Sequence, residues 1–253
     1  MKTKKGMRGG FTLVELLVVI SIIATLAGVG IPVIMSKVKD GNKAQAIGNI
    51  KQIGLAMFTF EQEYNSYPCD STGQEVKLNN PDVAFSFGNT FSNDFFRQLI
   101  AAGSIDQEKP FFAKAPYTKT PDNVMSQGKC LDAGECGFAY IMATNSEPLS
   151  STGNTARPLI AAAVYNCQTN GAFDPDVYGK FAVIFRIDNS ATAEHVRPSD
   201  KKVLIGGGKT LLQGGDKDTV WGNDINPVIK PPQKAHVGGT SQLPGTNPDD
   251  SNH

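Results

Sequence analysis

From Phe11 to Met35 the chain reads FTLVELLVVISIIATLAGVGIPVIM. Leu16 to Met35 is a run of twenty residues without a charge. As an α-helix such a run extends about 30 Å, the thickness of one bilayer core. Apolar side chains fill every face, so a helix built from it needs lipid or other protein all round. Lys2, Lys4, Lys5 and Arg8 precede it with no acid among them, the order of an export signal. One reading is a secretory leader cut after Thr25-Leu26-Ala27. Two features oppose it. Glu15 places a carboxylate near the start of the apolar run, at a cost of roughly 2.5–3.5 kcal/mol at mid-helix and less toward an end. The run also passes beyond Ala27 into an amphipathic helix, which a disposable signal does not need.

Working outward, Gly28, Gly30 and Pro32 cluster at the far end of the span. Pro32 removes one helical hydrogen bond and crowds the carbonyl of Gly28, which predicts a kink or a locally melted segment. Beyond it Ile47, Ile50, Ile53, Met57, Phe60 and Tyr64 recur at spacings of three and four, one apolar stripe. Gly41, Gly48 and Gly54 weaken this helix by about 1 kcal/mol each relative to Ala, so packing beneath a sheet must hold it. Asn65-Ser66-Tyr67-Pro68 ends it.

The rest of the chain predicts an α+β head. A short helix has Ser92 or Asn93 as N-cap, Phe95, Phe96, Leu99 and Ile100 as its buried face, and Gly103 as its stop. Strands are expected at Phe138 to Ala143, Leu159 to Tyr165, Phe181 to Ile187 and Val203 to Ile205. Asp188-Asn189 turns the third of these into Ser190 to Val196, a hairpin. A long helix followed by antiparallel strands places the helix on one sheet face. The last 28 residues hold five Pro, three Gly and no aromatic, so 226–253 is expected to be a disordered tail. The 253 residues carry 24 basic and 24 acidic side chains. That balance excludes a dedicated nucleic-acid binder, which needs a basic surplus.

Arg8-Gly9-Gly10-Phe11-Thr12-Leu13-Val14-Glu15 resembles the cleavage and methylation site of type IV pilins and type II secretion pseudopilins. The likeness runs from about Lys4 to Pro68: basic leader, Gly before the cut, Phe after it, Glu five residues into the mature chain, and Pro32 further on. The resemblance implies that a prepilin peptidase cuts between Gly10 and Phe11 and methylates the new Phe11 amine. The apolar helix would stay on the protein. It divides the chain into a leader (1–10), a transmembrane helix (11–35), its amphipathic continuation (36–68), a periplasmic head (69–225) and the tail. It also implies a single-pass protein of a bacterial inner membrane and a helical filament of like subunits. Further partners would be other pilin-like subunits, the prepilin peptidase, an inner-membrane assembly platform and membrane lipid. The retained Glu15 speaks against the tip-capping minor subunit, where that residue is typically absent.

The physics of Glu15 is compatible with such a role. Cleavage creates a positive amine at Phe11, and in a packed helix bundle Glu15 of one subunit can neutralise the amine of the next. A mispaired charge in low dielectric is costly, so the pair would select an axial register. An isolated subunit would instead let Glu15 reach the headgroups.

Other constellations are weaker. Cys69, Cys130, Cys136 and Cys167 lie outside the cytoplasm on this reading, where an even count suggests two disulfides. Cys130–Cys136 with Cys69–Cys167 is the favoured pairing of three, and four buried thiols are the alternative. Zinc is poorly supported without a C-x-x-C or paired His. Gly206-Gly207-Gly208-Lys209-Thr210 ends like a phosphate loop, but Val203 stands where the pattern needs Gly, so a glycine corner between strands is expected. Asp216, Asp218 and Asp224 crowd one loop near Trp221 and are the calcium candidates; some major pseudopilins hold calcium in a late loop. No other cofactor is implied. His195, His236 and His253 are scattered and form no catalytic set. The function these residues support is a structural filament subunit. The alternatives are a minor pilin with a ligand- or surface-binding head, and a membrane-anchored periplasmic enzyme.

Overall fold

The computed structural model describes residues 11–126, 129–206 and 208–235. It divides into two compact units, Met1–Lys39 and Asp40–His253. Helix α1 runs from Leu13 to Tyr64. Its first turn is capped locally: Leu16 N–H bonds the Thr12 carbonyl, and Glu15 N–H bonds Thr12 Oγ1 at 3.2 Å. In the first unit Phe11, Leu13, Val14, Leu17, Ile20 and Ile23 are all exposed. The backbone stays helical through Gly28, Gly30 and Pro32, so the expected melted segment is not present.

The second unit is the α+β arrangement expected from sequence. Its part of α1 buries Ile50, Ile53, Met57, Phe60 and Tyr64, with Ile47 half-buried. Seven antiparallel strands form one sheet in the order β6-β5-β4-β3-β2-β1-β7. They are β1 (Ala139–Met142), β2 (Pro158–Ala162), β3 (Phe181–Arg186), β4 (Ala191–Arg197), β5 (Lys202–Gly206), β6 (Lys209–Thr210) and β7 (Val228–Lys230). Six strands follow chain order, each beside its predecessor, and β7 returns to pair with β1, Tyr140 opposite Lys230. The Asp188-Asn189 hairpin joins β3 to β4 with Asn189 at φ 65°, a left-handed position that Asn tolerates.

Helix and sheet approach closely at Gly54. A Cβ built there would lie 2.0 Å from Cζ of Phe185 on β3 and 2.4 Å from the neighbouring ring carbons. The glycine that weakens the isolated helix is therefore what admits the Phe185 ring. Phe58 flanks the same ring at 6.3 Å between centroids.

Two further helices complete the head. Helix α2 (Asp70–Asn79), not expected from sequence, begins where Cys69 N–H donates to Thr72 Oγ1 at 2.8 Å. Helix α3 (Ser92–Ala101) buries Phe95, Phe96 and Leu99 as expected. Its N-cap is Phe91, one residue ahead of the expected Ser92 or Asn93. The reason is that those two side chains are used elsewhere. Ser92 Oγ donates to the Phe138 carbonyl at 2.6 Å, and Asn93 Nδ2 to the Leu131 carbonyl at 2.9 Å. Asp94 closes the first turn by accepting from the N–H groups of Thr90 and Phe91. Gln98 ties α3 to α2, donating to the Cys69 carbonyl and accepting from Thr72 Oγ1.

The expected disordered tail is corrected in its first ten residues. Residues 226–235 include β7, bury Ile229, Lys230 and Pro231, and carry Gln233 N–H to Asn93 Oδ1 at 2.9 Å. Composition failed here because β7 needs only three residues when a partner strand waits for it. Residues 236–253, with His236 and His253, lie outside the described residues.

Candidate assembly site

The residues singled out for processing and assembly sit at the start of α1. Gly10 lies outside the described residues. Phe11 is 79% exposed. Glu15 Oε2 accepts from Thr12 N–H at 2.8 Å and from Thr12 Oγ1 at 2.7 Å. With Thr12 Oγ1 accepting in turn from Glu15 N–H, this is a reciprocal capping box. It satisfies helix-end donors that would otherwise be open. Glu15 thus has a partner within its own chain, the residue next to Phe11.

From Leu13 to Leu26 the only other polar side chains are Ser21 and Thr25, and both turn back onto helix carbonyls, Ser21 onto Leu17 at 2.8 Å and Thr25 onto Ser21 at 3.0 Å. They present no free hydroxyl outward. Among the described residues no helix is long and apolar enough to cross a membrane. The side chains at positions 27, 29, 30 and 32, inside the apolar run, are not among those described, and Pro32 is one of them.

The four cysteines do not form the expected bridges. All are free and buried. Each sulfur has its own surroundings: Cys136 Sγ donates to the Phe138 carbonyl at 3.3 Å, and Cys69 Sγ lies 3.1 Å from Ser71 Oγ. Burial pushes the thiols of Cys130, Cys136 and Cys167 up to about 12, far from the thiolate form that reacts.

In the late acidic loop the structure brings Asp216 and Asp218 together on one cation. Lys209 Nζ lies 2.7 Å from Asp216 and 3.1 Å from Asp218. Asp224 is exposed and is not part of that contact. Gly206 on β5 pairs with Lys209 on β6, so the expected glycine corner falls between strands. Its lysine is committed to carboxylates rather than to a phosphate. His195 is exposed on β4 and meets the Phe181 ring edge-on.

Residues 5–31 match the prokaryotic N-terminal methylation motif. The chain is also similar to proteins named type II secretion system core protein G. That of Pseudomonas aeruginosa is 29% identical over 122 residues, 48% of this chain and 83% of that protein. That of Aeromonas hydrophila is 30% identical over 81 residues, 32% of this chain and 57% of its own length. That of Escherichia coli is 28% identical over 92 residues, 36% of this chain and 63% of its own length. No solved structure matches. A methylation motif, an apolar helix capped by its own Glu, and an antiparallel head make a pilin-like arrangement. The chain is thus similar, over part of its length, to pseudopilins.

Proposed function

We propose that this protein is a structural subunit of a type II secretion pseudopilus. Prepilin peptidase would release it between Gly10 and Phe11, methylate Phe11, and leave α1 to drive assembly. Residues 11–35 would hold the unassembled subunit in the inner membrane, head in the periplasm. The subunit would then pass into a helical filament with copies of itself and other pilin-like subunits, on an inner-membrane platform. The observation that carries this reading is the methylation motif, continuous with a helix whose apolar side chains are exposed on every face. Such a surface is stable only in lipid or against other such helices. Glu15 would leave its bond to Thr12 for the Phe11 amine of a neighbour. The part is mechanical, and no bond-making chemistry is assigned to the head.

Intact-mass measurement with N-terminal sequencing of the membrane-extracted protein tests the first step. The expected result is a chain starting at N-methylated Phe11. A chain starting at Gly28 would overturn it in favour of a secretory leader. Replacing Gly10 with a bulky residue should leave the precursor uncut, whereas changing Ala27 should not.

A further inference from the structure

Three carboxylates converge in the head. Glu108, ahead of a 3-10 turn at Lys109–Phe111, Asp122 in the following loop, and Glu135 in the turn before β1 each bring an oxygen within 4.8 Å of the other two. Glu108 and Glu135 are 0% and 1% exposed, whereas Asp122 is open to solvent. Buried carboxylates at this separation repel one another unless a proton or a cation sits between them.

The backbone fixes most of these oxygens. Leu131 N–H donates to Glu108 Oε1, Asp132 N–H to Glu135 Oε2, Asp122 N–H to Glu135 Oε1 and Val124 N–H to Asp122 Oδ1. Two oxygens take none of these bonds, Asp122 Oδ2 on an exposed residue and Glu108 Oε2. Glu108 Oε2 is buried and has no hydrogen-bond partner, the only carboxylate oxygen in that position among the described residues. A buried carboxylate oxygen without a donor is costly, and this one belongs to the cluster.

The cations around the cluster do not fill that role. Lys119 lies 3.6 Å from Glu135 Oε1, but it is 44% exposed on its side chain and closer to Asp132, at 3.0 Å. Arg97 is engaged by Asp94 and by the carbonyls of Cys130 and Leu131. Neither donates to Glu108 Oε2.

We propose that Glu108, Asp122 and Glu135 form a binding site for a hard divalent cation, and that the cation is calcium. The donors are all oxygen, which disfavours zinc and copper. Calcium accepts oxygens at about 2.3–2.6 Å, so donors across it stand up to about 5 Å apart, a limit that oxygens within 4.8 Å of one another meet. Magnesium retains several waters, for which two buried carboxylates leave little room. The site lies on loops before β1, apart from Asp216, Asp218 and Asp224, where Lys209 already supplies the positive charge. A cation here would fasten three loop segments, at 108, 122 and 135, to one point.

The test is calorimetric titration of calcium chloride into the full-length protein in detergent micelles, freed of metal by chelation. One calcium per chain is expected. Asp122→Asn, at an exposed position where the amide oxygen can still accept from Val124 N–H, should weaken binding at least tenfold. Asp218→Asn should leave it unchanged. Glu108→Gln should abolish the rise in Tm that calcium gives the wild type. No uptake by the wild type would overturn the proposal, as would undiminished binding by Asp122→Asn, or loss confined to Asp218→Asn. Magnesium binding as tightly as calcium would overturn the choice of ion.

Discussion

Glu15 holds both donors of Thr12, its Oε2 lying 2.8 Å from the backbone nitrogen and 2.7 Å from Oγ1. One carboxylate therefore serves its own helix before it can serve a neighbour. The two roles use different properties of the group. Capping needs an acceptor oxygen, which Gln also supplies. Neutralising an amine needs the charge.

Glu15→Gln and Glu15→Val separate these roles. Glu15→Gln should keep the first turn of α1 intact and still lose filament, because each incoming subunit leaves a charged amine unpaired in a dry helix bundle, at several kcal/mol. Glu15→Val should lose filament and also fray the helix start, by about 1 kcal/mol. Thr12→Val should fray the start and assemble. Sheared filament against membrane-retained subunit is the measurement. Normal filaments from Glu15→Gln would show that charge is not what sets the register.

Glycines on α1 should respond in opposite directions. Nothing lies within 4 Å of a Cβ added at Gly48, so Gly48→Ala should stabilise the head by roughly 0.5–1 kcal/mol. Gly54→Ala drives a methyl into the Phe185 ring, and overpacking of that kind costs roughly 1–3 kcal/mol, more than the gain in helix propensity. Thermal melting of the two variants in detergent should move Tm up for the first and down for the second.

Thiol chemistry should report burial. With Cys130, Cys136 and Cys167 pushed up to about 12 by burial, alkylation at pH 8 should be slow on the native protein. In denaturant without reductant, four thiols per chain should titrate. Two or none would establish a bridge that the folded chain described here does not contain.

Acid should weaken the β3–β4 pair through Glu194. Burial acts to raise this carboxyl, but hydrogen bonds from Thr192 and Arg186, the latter at 2.9 Å, outweigh it and hold the carboxyl below its ordinary value. A depressed folded value means the contribution is present above the unfolded value, near 4.3, and fades as pH falls through the folded one. Glu194→Gln should therefore melt lower than wild type at pH 7, by up to about 1 kcal/mol for a half-buried pair that solvent still screens. The difference should close as pH falls below the ordinary carboxylate value. An unchanged gap across that range would exclude the mechanism.

Much of this molecule can be read from local pattern. The stripe from Ile50 to Tyr64, the Asp188-Asn189 hairpin and the α3 core of Phe95, Phe96 and Leu99 all follow from periodicity and turn chemistry. What could not be read depends on distant partners. Helix α2 contains Gly73 and few apolar residues, and its start is held by Gln98 from another helix. Strand β7 exists because β1 offers an open ladder. Ser92 and Asn93 have the chemistry of caps, yet distant carbonyls claim their side chains. The three acids at 108, 122 and 135 share no spacing rule, since loops alone bring them together. One missed feature was legible: Thr12 to Glu15 is a capping-box sequence, obscured because Glu15 stood out as a charge in an apolar run.

Strand β7 also bears on what a polymerising subunit must avoid. A sheet ends in two rows of unpaired backbone groups, each a template for uncontrolled association with another copy. Here one border is the two-residue β6, and the other is the three-residue β7, bracketed by Pro227 ahead and Pro231-Pro232 behind. Proline has no N–H to offer an incoming strand. Lys230 cannot act as a solvated guard, since its ammonium is turned inward to the Asn89 carbonyl at 2.8 Å. Brevity and proline leave the head little by which to aggregate, so under the proposed function adhesion between copies would fall to α1, where its order and register could be controlled.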